Sequence, residues 1–355
     1  MRKNLTLFDF VIKEWLLFTA ISGVILTSIY FKKIPTFSSK ELEVIFILFV
    51  LFVTVKGLEL SGVMQKISGK IEQGGLIPLK LTLTSFFLSM IVTNDVAIII
   101  LVPLTLTLNI EKKGLIVILE VLAVNAGSAF TPIGNPQNLF IYWFYNLVPS
   151  EFLKTIFPFS AAFLILLIIL SLFVKIKSTR GIVDVKINKR AAIIFFSLLL
   201  VVILTVMHIL PVAACFAVVI YALIFNRESL RIDYALLFTF LCFFGLSENL
   251  KNLFTGTFET KNHVFLFSAL ASQFVSNVPA ALLFSKFTTQ WKELLWGTNV
   301  GGFGSPIGSL ANLIAYKIYI EKRDIEKPFL FTIKFLLIGY VFFFLGIGLY
   351  FLINS

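Results

Sequence analysis

The residue in this chain best suited to ion chemistry is Asp95. It is the single charge among the 28 residues between Lys80 and Asn109, and it directly follows Thr93 and Asn94. An ionised carboxyl in so apolar a stretch needs a proton, a cation or several donors close by. A second polar cluster, Ser276-Asn277-Val278-Pro279, interrupts the apolar stretch 264–285 in the same way. Each cluster is followed by a segment rich in Gly and Asn, at 125–138 and at 299–312. Laid together without a gap, 125–142 and 299–316 share eight of 18 residues: Asn125/Asn299, Gly127/Gly301, Pro132/Pro306, Ile133/Ile307, Gly134/Gly308, Asn138/Asn312, Leu139/Leu313 and Tyr142/Tyr316. Ordinary composition gives roughly one or two by chance. The chain carries an internal repeat.

These residue types suit binding better than catalysis. Asn side chains donate and accept, which fits an oxyanion or a hydroxylated solute. Glycines permit backbone angles and close approach that larger residues forbid. A helix that starts inside such a break offers unpaired N–H groups and a positive dipole end to an anion, and its unwound carbonyls offer oxygens to Na⁺. The candidate binding residues are therefore Thr93, Asn94, Asp95, Asn125, Gly127, Thr131, Gly134 and Asn138 in the first copy. In the second they are Ser276, Asn277, Asn299, Gly301, Ser305, Gly308 and Asn312. Asp95 and Glu120, the latter about one turn before Asn125, are the candidates for coupling to an ion. Plainer roles compete: glycines that only let helices pack closely, Asn94 or Asp95 as a helix cap, and Glu120 as a partner for Lys112 or Lys113. Lys56 and Glu59, at i and i+3, read as a snorkelling pair. Cys215 and Cys242 lie within apolar segments, and His208 and His263 lie at segment ends without metal-ligand spacing. The expectation is a non-enzyme with no cofactor beyond a bound Na⁺.

The elements that hold these residues follow from composition. The 355 residues are 58% apolar and 14% charged, with 41 Phe, against about 45–50% and 25% in soluble domains. Too few polar residues remain to cover a soluble surface. A cytosolic enzyme, a disordered chain and a disulfide scaffold are excluded, and an all-α polytopic membrane protein is expected. The net charge of +11 reads as loop topology, not as nucleic-acid binding, because basic residues cluster between apolar segments. Spans are expected near 14–31, 41–60, 153–174, 190–207, 211–225, 232–250 and 328–352. The 28 residues around Asp95 are too many for one crossing and too few for two, so a re-entrant helical hairpin is expected at about 80–109. A similar hairpin is expected at about 263–287. Glycine-broken transmembrane helices follow at about 113–142 and 293–317. The first repeat then covers 1–174, a cytoplasmic linker and connecting helix 175–210, and the second repeat 211–355. With the N-terminus cytoplasmic, 20 basic residues fall on cytoplasmic segments and 8 on outer ones, a positive-inside pattern. On that topology the repeats are inverted in the cytoplasmic (inner) membrane.

At these residues the sequence resembles the ion-transporter superfamily of arsenite permeases, sodium/proton antiporters and divalent-anion/sodium symporters, with a citrate-transporter-like domain. The resemblance runs from about residue 41 onward. The segment 125–138, with Thr131-Pro132-Ile133-Gly134, is similar to the first sodium-site loop of the symporters. Gly297 to Gly301, with Ser305-Pro306-Ile307-Gly308, is similar to the second-repeat loop of arsenite permeases. Symporter hairpin tips read Ser-Asn-Thr; here they read Thr93-Asn94-Asp95 and Ser276-Asn277-Val278, and the first tip is closer to the arsenite permeases. The resemblance implies a scaffold domain and a mobile transport domain, often paired as a homodimer. The expected function is secondary active transport of a small anion or oxyacid, arsenite-like or carboxylate, driven by H⁺ or Na⁺. A sodium/proton antiporter is the alternative, ahead of a channel or a membrane-embedded enzyme.

Overall fold

Backbone polar groups in hydrocarbon must be satisfied within the chain, and a helix does this inside one segment. The computed structural model describes residues 14–63, 75–174, 178–179, 187–254, 260–322 and 328–354. These are helical, apart from loops and a short antiparallel ladder pairing Asn109–Ile110 with Ser178–Thr179. The helices are α1 (Trp15–Phe31), α2 (Ser39–Leu60), α3 (Ile77–Ser89), α4 (Asn94–Thr107), α5 (Lys113–Ser128), α6 (Pro136–Phe144), α7 (Pro149–Phe173) and α8 (Lys189–Val206). They continue as α9 (Phe216–Phe225), α10 (Tyr234–Phe254), α11 (Lys261–Val275), α12 (Asn277–Ser285), α13 (Trp291–Gly301), α14 (Leu310–Ile320) and α15 (Pro328–Asn354).

Among the described residues, the stretches Pro149–Phe173, Lys189–Val206, Arg227–Leu250 and Pro328–Asn354 are long and apolar enough to cross a bilayer. Phe173 and Phe344 stand 80% and 64% exposed on such helices, apolar surface that lipid covers. The protein is a multi-pass membrane protein. The stretch 211–225 is not one helix: a 3-10 turn at Val212–Cys215 precedes α9. The basic stretches at 1–13 and 323–327 lie outside the described residues, as do most of those at 61–80 and 175–190, the expected linker among them.

The helices break where polar and turn-forming residues interrupt the apolar runs. α3 packs on α4 across residues 90–93, and α11 packs on α12 across Ser276. Ser276 makes that turn at φ 73° and ψ 156°, a region that costs a non-glycine residue about 1–3 kcal/mol. α5 ends at Ser128, and α6 restarts at Pro136 with Asn135 Oδ1 accepting the Asn138 N–H at 2.9 Å. α13 ends at Gly301 and α14 restarts at Leu310.

The two copies then interlock. α3 lies on α5 and α11 on α13, and glycines let them meet. A Cβ at Gly127 would overlap the Phe86 carbonyl oxygen, and one at Gly297 would overlap Ser268 Oγ. α14 packs against α4 and α5, while α6 packs against α12 and α13. The same pair of contacts therefore occurs twice with the copies exchanged. Outside this body α1 lies on α10, α8 lies on α2, and α10 reaches α12.

Candidate functional site

Four helix starts converge on one cavity of about 90 Å³. Asn94 and Asp95 open α4, Pro136 and Gln137 open α6, Asn277 and Val278 open α12, and Ser309 with Leu310 opens α14; all line it. Each start brings the partial positive charge of a helix N-terminus to the same space. No Lys or Arg lines the cavity among the described residues, whereas Glu14, Asp95 and Asp233 do.

The backbone around the cavity is held by bonds that appear once in each copy. The Asn94 N–H donates to the Gly134 carbonyl at 2.9 Å, and the Asn277 N–H donates to the Gly308 carbonyl at 3.0 Å. Each hairpin tip is thus fastened to the break that follows it. The breaks are also fastened to each other. Asn125 Nδ2 donates to Asn312 Oδ1 at 2.7 Å, and Asn299 Nδ2 donates to Asn138 Oδ1 at 2.8 Å. Asn138 Nδ2 gathers the carbonyls of Ser128, Ala129 and Thr131, and Asn312 Nδ2 those of Gly302 and Ser305. Reciprocal pairing of this kind characterises an isologous, self-complementary contact.

Each loop has one further tie to its hairpin. Thr131 Oγ1 donates to the Met90 carbonyl at 2.7 Å. In the second copy Gln273 does more of the holding. Its Nε2 donates to the Gly301 and Phe303 carbonyls, its Oε1 accepts the Ser305 N–H, and its carbonyl accepts Ser305 Oγ. Several polar atoms at the cavity remain without a partner: Asp95 Oδ1, Asn277 Nδ2 and Gln137 Oε1 are buried and make no hydrogen bond. Such groups are uncommon in native proteins and call for a partner such as water, an ion or a ligand.

The candidate residues divide into two sets. Asn94, Asp95, Ser276 and Asn277 line the cavity. Asn125, Asn138, Asn299 and Asn312 lie behind it and hold the breaks, while Thr131 and Ser305 tie loops to hairpins. Gly127 and Gly301 admit α3 and α11, and Gly134 and Gly308 present the carbonyls that the tips bond. Thr93 faces a neighbouring cavity. Thr93, at the N-cap of α4, makes no side-chain cap bond; Asn94 Oδ1 accepts the Asp95 N–H at 3.0 Å, and Asp95 Oδ1 accepts none. Glu120 is fully buried and accepts from Thr105 Oγ1 at 2.6 Å; it lines neither of these cavities. Sequence reasoning passed over Gln137, Ser309, Asn135 and Gln273. Asn135 and Ser309 align in the repeat, and both precede a helix restart, which is the cap signal that could have found them.

On another side of α12 lies a cleft of about 770 Å³. Here Lys286 Nζ sits 2.6 Å from Glu41 Oε1 and 2.9 Å from Glu248 Oε2. Glu248 also meets Lys33 at 3.3 Å, and Tyr145 donates to the Ser285 and Thr288 carbonyls. The pairs join α12 to α2 and α10. Cys215 and Cys242 are both free thiols, and His208 stacks on Trp143 and Tyr142.

The citrate transporter family matches residues 10–292. An uncharacterized transporter of Methanocaldococcus jannaschii is 34% identical over 320 residues, covering 86% of this chain and 88% of that protein. The inner membrane protein YbiR of Escherichia coli is 33% identical over 320 residues, covering 82% of this chain and 84% of its own length.

Proposed function

Since the chain belongs to the citrate transporter family, and so to the ion transporters, we propose that it is a secondary active transporter of a small anion or oxyacid, coupled to H⁺ or Na⁺. The observation that carries this reading is the convergence of four helix N-termini on one cavity whose Asp95, Asn277 and Gln137 each leave a polar atom unbonded. Helix starts favour a compact anion without a fixed cation. A multiply charged solute fits poorly, because the lining has carboxylates and no Lys or Arg. At about 90 Å³, the cavity is far below the roughly 300 Å³ at which drug-sized pockets begin. The family takes its name from citrate; the lining favours something smaller, a singly charged carboxylate or a weakly ionised oxyacid of the arsenite type. Asp95 is the coupling group in this reading.

The reading has a membrane frame. α3–α4 and α11–α12 act as re-entrant hairpins, and the copies are inverted across the bilayer, with the N-terminus cytoplasmic. The reciprocal bonds between the breaks support an inverted pair. Alternating access then moves the interlocked body against α1, α2, α8 and α10.

The test is uptake into proteoliposomes of labelled citrate, succinate, acetate and arsenite under imposed Na⁺ or pH gradients. Gradient-driven accumulation of one of the smaller solutes is expected. Uptake that only equilibrates would indicate a channel. Exchange of Na⁺ for H⁺ with no solute moving would favour the sodium/proton antiporter, the second reading, which the unpartnered Asp95 carboxylate also supports.

A further inference from the structure

The solute's cavity and the cleft at Lys286 lie at opposite ends of the same helices. α12 opens on the cavity with Asn277 and Val278 and ends at the cleft with Ser285, where Lys286 follows it. α6 runs the same way, from Pro136 and Gln137 to Phe144. α10 passes both, with Phe240 at the cavity and Glu248 at the cleft. The nine residues of α12 put about 13 Å between the two spaces. Midway along α6 and α10, Phe140 meets Phe244 with ring centres 5.1 Å apart, and both are fully buried. Phe244 stands one turn after Phe240, and Phe140 one turn before Phe144. Beside them Ser247 Oγ of α10 donates to the Leu283 carbonyl of α12 at 3.0 Å.

At the cleft end, charge ties the interlocked body to the helices around it. Lys286, just past α12, reaches Glu41 on α2 and Glu248 on α10. Glu41 is held in place by its own helix start, its Oε2 accepting the Ser38 N–H at 2.6 Å. Nearby, Trp143 Nε1 of α6 donates to Glu43 Oε2 of α2 at 3.1 Å. The other end of the cavity differs. Its lining reaches Asp233, which is exposed, and Ile307, which is 38% exposed. In the neighbouring cavity that shares Asp95 and Asp233, Lys56 pairs with Glu59 on the same helix, α2. The solute's cavity is therefore shut towards Lys286 by two layers, one aromatic and one ionic, and communicates with the Asp233 end.

We propose that the cleft is the second entrance to the solute's cavity, and that the Phe140–Phe244 contact and the Lys286–Glu41–Glu248 cluster are its closed gate; this rests on the alternating-access reading above. Moving α6 and α12 against α2 and α10 separates both layers, and the cluster favours the closed state by contacts that only that state makes. Cysteine labelling tests the gate without any transported solute. In a chain carrying Cys215→Ala and Cys242→Ala, Ile307→Cys reports on the cavity. Thr289→Cys, exposed in the cleft, marks the cleft face. A charged, membrane-impermeant thiosulfonate is applied to right-side-out and to inverted membrane vesicles. Ile307→Cys is expected to react from the face opposite to the one that labels Thr289→Cys. Adding Lys286→Met with Glu41→Gln removes the cluster and leaves Glu248 its partner Lys33. That pair should raise Ile307→Cys labelling from the cleft face at least fivefold and lower it from the other face. Lys286→Arg, which keeps the charge, should keep the original pattern within twofold. Unchanged cleft-face labelling after Lys286→Met with Glu41→Gln, or an equal rise from both faces, would overturn the gate alone. Equal labelling of Ile307→Cys from both faces with the cluster intact would mean a continuous pore, and would overturn alternating access and the gate with it.

Discussion

At Asp95 the chemistry and the geometry of one side chain can be separated. Asn has nearly the same shape and keeps a hydrogen-bonding oxygen, but it cannot carry a proton or a negative charge. Asp95→Asn is therefore expected to leave solute exchange running while abolishing accumulation under an imposed H⁺ or Na⁺ gradient, read by tracer uptake with and without the gradient. Full accumulation by that variant would move the coupling role to Glu120, whose Oε2 is also buried without a partner. The Asn pairs are a second case. Removing Asn125 leaves Asn312 Oδ1 without its donor, a loss of about 1–3 kcal/mol for a buried polar group. A double-mutant cycle of Asn125→Ala and Asn312→Ala should return a coupling of about 1 kcal/mol in thermal unfolding in detergent, the scale measured for polar contacts between membrane helices. A coupling of zero would mean that the two breaks are not held by this bond.

Among the elements, the glycines repeated in both breaks supply room rather than unusual angles, whereas Gly304 of the second break sits at φ 93°. Gly134 and Gly308 are not at positive φ. A Cβ at Gly308 would lie 2.7 Å from the Gly301 carbonyl oxygen and 2.8 Å from that of Phe303, and one at Gly134 would overlap the Ser128 backbone. Gly134→Leu and Gly308→Leu should each abolish uptake while the protein remains in the membrane fraction, because the displaced loop withdraws the carbonyl that the Asn94 or Asn277 N–H bonds. Wild-type uptake by both would make the breaks mere packing features. The positions of the breaks were legible because Asn, Gly and Pro interrupt otherwise apolar runs, and the matching order in both copies made the pattern hard to mistake. Which residues face the cavity was less legible. The glycines, read as places for a ligand to approach, also make room for neighbouring residues of the fold. The Asn residues of the breaks, read as candidates for binding, also hold one break to the other, an arrangement that depends on how the copies interlock. Gln273 resembled any polar residue in a helix, since the carbonyls it holds are about 30 residues away in sequence and meet it only after folding.

Across the whole molecule, the interlocked body meets its surroundings through charge at Lys286. Its side chain is 8% exposed and that of Glu41 1%. Removing one member of a buried ion pair strands the other, typically at about 3–5 kcal/mol. Lys286→Met should lower the melting temperature in detergent, and adding Glu41→Gln should recover most of the loss; no recovery would mean that Lys286 acts through packing. The bonds between the breaks carry a different consequence, one of ancestry. Asn125 meets the counterpart of Asn138, and Asn299 meets Asn138 itself. Two identical chains, each with one hairpin and one break, could make both bonds, whereas a single such chain could make neither. A half-length forebear would have been chemically complete only as a pair, and fusing the two genes would have preserved a partnership that already existed.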